Sequence, residues 1–216
     1  MATLADLKSR IADDLARSDL TNQIAAAIAD AITHFQTTRF YFNETRATTF
    51  QTVSGQTLYT AADQANIPLF FEFDDLFITV TSATYPMRRE DADLLEELVS
   101  TNGANGDPYA WAWVAQSIRV YPIPNMARTI RIVGAIKQAA PTDDADSTNF
   151  WITEAFELIR CYAKGLIYAH VIKDAASRAL MLGEDGEGGL AGMARMKLER
   201  ETSSKRATGL LTPTAF

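Results

Sequence analysis

The sequence predicts an α+β chain. An N-terminal helical pair and a long C-terminal helical hairpin form a helical bundle, with a small antiparallel β-sheet inserted and an extended C-terminal arm. Three observations carry this reading. Apolar residues recur at three- and four-residue spacing over residues 3–40 and again from Trp151. Between these stretches lie short alternating runs rich in β-branched and aromatic residues, separated by Gly, Pro and Asn. Residues 204–216 have no periodicity at all. The divisions are therefore 1–42, the N-terminal helices; 43–140, the β-rich region; 141–203, the helical hairpin; and 204–216, the arm.

Taken in order, Thr3 caps a first helix whose Leu4, Leu7, Ile11 and Leu15 form one stripe. Ser18-Asp19 breaks it and caps a second helix carrying Leu20, Ile24, Ile28, Ile32 and Phe35 on an alanine-rich body, suited to close helix packing. Thr48–Val53 and Gln56–Thr60, joined by Ser54-Gly55, read as a hairpin. Leu76–Thr81 is a strand, Arg89–Val99 a short acidic helix, and Asn102-Gly103 and Asn105-Gly106 supply residues tolerant of positive φ. Tyr109–Val114 and Ser117–Tyr121 make a second hairpin, ended by Pro122-Ile123-Pro124, and 129–136 alternates again. An acidic loop, 143–147, precedes a cap at Ser147, Thr148 or Asn149. The helix from Trp151 is apolar over much of its circumference, so it is expected to be the most buried element. Glycines in 183–189 interrupt it before a last helix, Leu190 to about Ser203.

Composition excludes several functions. The chain has 216 residues, 47% hydrophobic and 22% charged, with a net charge of -7. It is too apolar for disorder and too acidic overall to grip nucleic acid by counterion release. One cysteine and two histidines leave no internal disulfide and no zinc-ligand set. No apolar run approaches the ~20 residues of a membrane span, and the first residues lack the pattern of a signal peptide. A soluble protein made in the cytoplasm is expected.

No catalytic constellation emerges, and the chain is read as no enzyme. The glycine-rich segment lacks the Lys-Ser/Thr of a phosphate loop, and its Glu184, Asp185 and Glu187 would repel phosphate. Neither does its spacing suit calcium. A turn between antiparallel helices is the better reading. His34, His170 and Cys161 read as core or interface residues, with no cofactor or metal implied. Charge placement says more. After residue 190 come Arg195, Lys197, Arg200, Lys205 and Arg206, against only Glu199 and Glu201. This basic helix runs into an arm ending in Leu210, Leu211 and Phe216, apolar anchors suited to an acidic, grooved partner. Lys205, Arg206, Leu210, Leu211 and Phe216 are thus the expected binding arm. Arg195, Lys197, Arg200, Glu184, Asp185 and Glu187 are candidates for subunit or partner contacts.

In the order of its elements the chain resembles the head-to-tail adaptor (connector) proteins of tailed bacteriophages. The resemblance rests on the N-terminal helical pair, Gly106-Asp107-Pro108-Tyr109 leading to Ile118-Arg119-Val120-Tyr121-Pro122-Ile123-Pro124, strand 129–136, the acidic loop before Asn149-Phe150-Trp151, the helical hairpin and the arm. It implies a structural virion protein of the neck, between capsid and tail. It also implies a ring of twelve copies docked on the portal protein through the arm, a tail or nozzle protein on the opposite surface, and a channel through which DNA passes without specific binding. The rivals are another neck component, such as a head-closure or tail-terminator protein, or a small ligand-binding domain or enzyme. Neck components of those kinds are dominated by β-structure, which the predicted helical content opposes.

Overall fold

Helix α1 (Leu4–Leu15) begins at a reciprocal cap: the Thr3 hydroxyl accepts from the Asp6 N–H at 3.1 Å, and the Asp6 carboxylate accepts from the Thr3 N–H at 2.9 Å. The computed structural model describes residues 2–206 other than Asn102. The chain divides into two units, one formed by residues up to Phe42 together with those from Gln138 onward, the other by Asn43–Lys137.

In the first unit α1 and α2 (Thr21–Phe35) bury Leu4, Leu7 and Ile11 with Ile24, Ile28, Ile32 and Phe35, the stripes their spacing predicts. The expected cap at Ser18-Asp19 does not form. Leu20, whose side chain has no hydrogen-bonding group, is the N-cap, and the Asp19 carboxylate is engaged instead by Arg17 at 2.7 Å. Asn149 caps α4 (Phe150–Thr153) by accepting from the Trp151 N–H. Trp151 is fully buried, edge-on to Phe40 and Phe42, and its indole N–H donates to the Gln138 carbonyl at 3.2 Å. The helix expected to continue from here is broken twice. Ala155 starts a separate α5 (Phe156–Ile167), which runs into a π turn, Tyr168–Ile172. Lys173 then turns left-handed at φ 62, and Asp174 caps α6 (Ala175–Leu182) by accepting from the N–H groups of Ala176 and Ser177. Gly165 lets α5 and α6 close together, since a Cβ there would lie 2.3 Å from Leu182 Cγ. Helix α7 (Gly189–Arg206) is the last described element of the unit. It runs past the expected end near Ser203, so residues 204–206 belong to the helix and not to an arm.

The second unit overturns the predicted fold class. In place of a helical bundle carrying a small antiparallel insert, the chain has a seven-stranded mixed sheet with the order β1-β9-β3-β4-β6-β7-β2. Its strands are β1 (Glu44–Gln51), β2 (Leu58–Tyr59), β3 (Phe70–Val80), β4 (Ala83–Arg89), β6 (Ala110–Val114), β7 (Ser117–Tyr121) and β9 (Thr129–Ile136). All neighbours are antiparallel except β4 and β6, which run parallel through Arg88 and Arg89. A second, parallel ribbon joins β5 (Asn105–Gly106) to β8 (Ile123–Pro124).

The physical reason is long-range pairing. Ser54-Gly55 does turn, with Gly55 at φ 82, but its flanking segments do not pair with each other: β1 pairs with β9 and β2 with β7. The β6–β7 hairpin does form, and its left-handed residues are Ala115 and Gln116. Gly103 and Gly106, which could have tolerated a positive φ, are not among the left-handed residues. At the β3 bulge, Gly134 permits close approach: a Cβ would lie 2.2 Å from the Glu72 carbonyl oxygen.

One sheet face carries Phe50, Tyr59, Leu76, Ile78, Trp111, Ile118 and Ile132 into the main core. A smaller core sets Leu95 of α3 (Ala92–Thr101) against Ala110, Ala112 and Tyr121. The alternation along β6 thus buries both faces.

Candidate docking surface

Helix α7 is built in two halves of opposite character. Inward, Ala191, Leu198 and Thr202 are buried, and the Thr202 hydroxyl fixes the helix end. It donates to the Leu198 carbonyl at 2.7 Å and accepts from the Tyr41 N–H at 3.1 Å. The Lys205 ammonium lies 3.3 Å from the centre of the Tyr41 ring, and the Tyr41 hydroxyl donates to Glu154. Burial, then the Glu154 carboxylate, push that phenol well above its ordinary range. Tyr41 therefore clamps the end of α7 from which residues 207 onward depart.

Outward, Met193 is 62% exposed and Met196 51%, beside exposed Leu190, Lys197 and Arg200. The 3–4 spacing of these residues puts them on one side of the helix. Large apolar side chains left open to water next to cations, on a helix tied down through its opposite side, are the mark of an interaction face. Leu190, Met193 and Met196 were not among the sequence candidates. Their helical periodicity was legible, but periodicity alone reads them as core.

The other candidates are placed as follows. Arg195 does not face outward with Lys197 and Arg200. Its guanidinium bridges Glu199 at 2.8 Å and Glu187 at 3.0 Å, and these bonds raise its pKa. The Asp185 carboxylate accepts from the N–H groups of Glu187 and Gly188, closing the 183–189 segment as the expected turn between α6 and α7. Glu184 is exposed. Of the binding arm, Lys205 is the cation over Tyr41; Leu210, Leu211, Phe216 and the Arg206 side chain lie outside the described residues.

A charged cluster that sequence reasoning missed lies deeper in the same unit. Arg160 grips Asp14 with two bonds of 2.9 Å, and Lys164, whose side chain is 11% exposed, adds a third at 2.9 Å. Burial opposes ionisation of Asp14, but the Lys164 and Arg160 bonds outweigh it and lower its pKa. The three residues are some 150 positions apart in pairing, so no local signal could join them. The arrangement is structural: it neutralises the ammonium of a buried lysine.

Reactive chemistry has little to stand on. Burial raises the Cys161 thiol, which disfavours the nucleophilic thiolate. His34 stacks on Tyr162 with ring centroids 4.7 Å apart, and His170 is exposed on the π turn. Among the described residues, no group of three His, Cys, Asp or Glu is placed to hold a metal ion, and no helix is long and apolar enough to cross a membrane.

No curated protein matches the chain. The family model described as SU10 adaptor protein matches residues 2–210, nearly all of it, and bears out the resemblance to phage head-to-tail adaptors read from the order of its elements. The chain belongs to the SU10 adaptor protein family and has the structural role of a phage adaptor.

Proposed function

We propose that this adaptor forms a ring of twelve copies that docks on the portal through the segment following α7 and joins it to the tail or nozzle, leaving a channel for DNA. The observation that carries the reading is the clamp at the end of α7. Tyr41, Thr202 and Lys205 hold the helix terminus in place, so the following Leu210, Leu211 and Phe216 are delivered from a defined point. Those three side chains anchor in the portal and Arg206 steers the encounter. Fixed anchors lower the ordering cost of binding. A net charge of -7 suits a channel wall that repels phosphate and offers no counterion-release gain to DNA.

The test is removal of residues 207–216, which spares Lys205 and its ring contact. The truncated chain is expected to melt within a degree or two of the full chain and to lose retention on the cognate portal in a pull-down. Full retention of portal binding would overturn the docking reading.

A further inference from the structure

We propose that neighbouring copies of the chain meet head to tail, with the outward face of α7 on one copy seated on the outer face of α3 on the next. This deepens the ring reading above and rests on it.

The α7 face needs a partner that covers methionine side chains and neutralises two cations. Among the described residues, Lys197 and Arg200 make no ion pair within the chain, and Met193 and Met196 are more than half exposed. A second α7 is the poorer match: it brings four cations from the Lys197 and Arg200 pairs together and, among the described residues, offers Glu201 as the one carboxylate lining that face on each copy. The chain itself carries the complement. On α3 the outward residues are Asp93, Leu94 and Glu97, with Leu94 44% exposed. Glu96 is held by Arg119 at 3.1 Å, while Asp93 and Glu97 have no cation partner among the described residues.

The two faces also match in length. Ten residues of α3, and the stretch from Leu190 to Arg200, each span about 15 Å at 1.5 Å per residue. Leu94 then beds among Met193 and Met196, whose unbranched side chains adapt to an irregular neighbour, while Asp93 and Glu97 meet Lys197 and Arg200. Because the contact joins two different patches, every copy keeps one of each free. The series continues until it closes.

The experiment uses the chain without portal, so arm docking does not enter. Under mild oxidation at high concentration, the Leu94→Cys/Met193→Cys chain is expected to give a ladder of disulfide-linked dimers, trimers and longer species. Native Cys161 is buried, so the unsubstituted chain is the blank. Adding Lys197→Glu/Arg200→Glu should cut the ladder at least roughly tenfold by placing like charges in contact. Adding Asp93→Lys/Glu97→Lys on top should restore it.

A ladder no stronger than that of a Thr33→Cys/Met193→Cys control overturns the proposal, as does trapping that stops at dimers, or charge reversal without rescue. Portal retention of the same chains is scored separately. Retention without a ladder discards this contact and leaves docking standing; a ladder without retention does the reverse.

Discussion

Helices α5 and α7 belong to the same unit and differ sharply in how their side chains are used. In its 12 residues α5 buries Leu158, Ile159, Cys161, Ala163, Lys164, Gly165 and Ile167. Helix α7 is longer, at 18 residues, yet holds itself to the unit through Ala191, Leu198, Thr202 and the Tyr41 clamp. Helix α5 even admits a charge, Lys164, because Asp14 is there to meet it. Helix α7 instead leaves methionines in water. A helix that buries all sides is scaffold. One tied down along a narrow line, with apolar residues left over, presents a surface, and an adaptor needs both.

That contrast can be broken most severely at Trp151, the residue that leads into α5. Trp151→Ala removes a fully buried ring packed on Phe40 and Phe42 and takes from the Gln138 carbonyl one of its two side-chain donors, leaving the Gln36 amide. A loss of ~3–5 kcal/mol is expected in urea unfolding. A near-neutral result would mean that the scaffold half of the comparison is misplaced.

Next in size is Asp14. Asp14→Asn should cost about 1–3 kcal/mol at neutral pH by leaving the Lys164 ammonium without its counter-charge, the figure being lowered for a carboxylate that is 26% exposed. The sign of its pH dependence follows from the lowered folded-state pKa. The stabilisation is complete above the ordinary carboxylate value of 3.8 and fades as pH falls through the lower folded value. Thermal melts of the two proteins should therefore differ at pH 7 and converge under strong acid.

The smallest effect belongs to α7. Met193→Ser and Met196→Ser are expected to change stability by no more than about 0.5 kcal/mol. The same pair should weaken association between copies, measured by sedimentation at high concentration. Destabilisation on the scale of Trp151→Ala would make the outward face part of the core and erase the distinction between the two helices.

Local signals served well where the responsible contact was itself local. Thr3 caps α1 by bonding three residues ahead. The stripes of α1 and α2 and the β6–β7 hairpin follow from spacing within a turn or two, and strand 129–136 was legible from its own alternation although its partners β1 and β3 are distant. Failures began where two signals competed. Ser54-Gly55 was a sound turn attached to the wrong pairing, because β1 found β9 and completed a sheet far larger than the hairpins implied. Asp19 was a sound capping residue, but Arg17 took it. In the docking surface, the basic excess after residue 190 was legible as composition. Composition could not separate Arg195, which Glu187 and Glu199 hold inside the chain, from Lys197 and Arg200 on the outward face.

The linear chain by itself determined the helical ends, the β-rich middle, the absence of a recognisable catalytic motif and the adaptor family, since these rest on periodicity, composition and element order. Only the tertiary structure decided the seven-stranded mixed sheet, the Asp14–Arg160–Lys164 cluster, and which side of α7 faces water. Each of those depends on residues distant in sequence competing for the same partner, and that competition is resolved only when the whole chain packs.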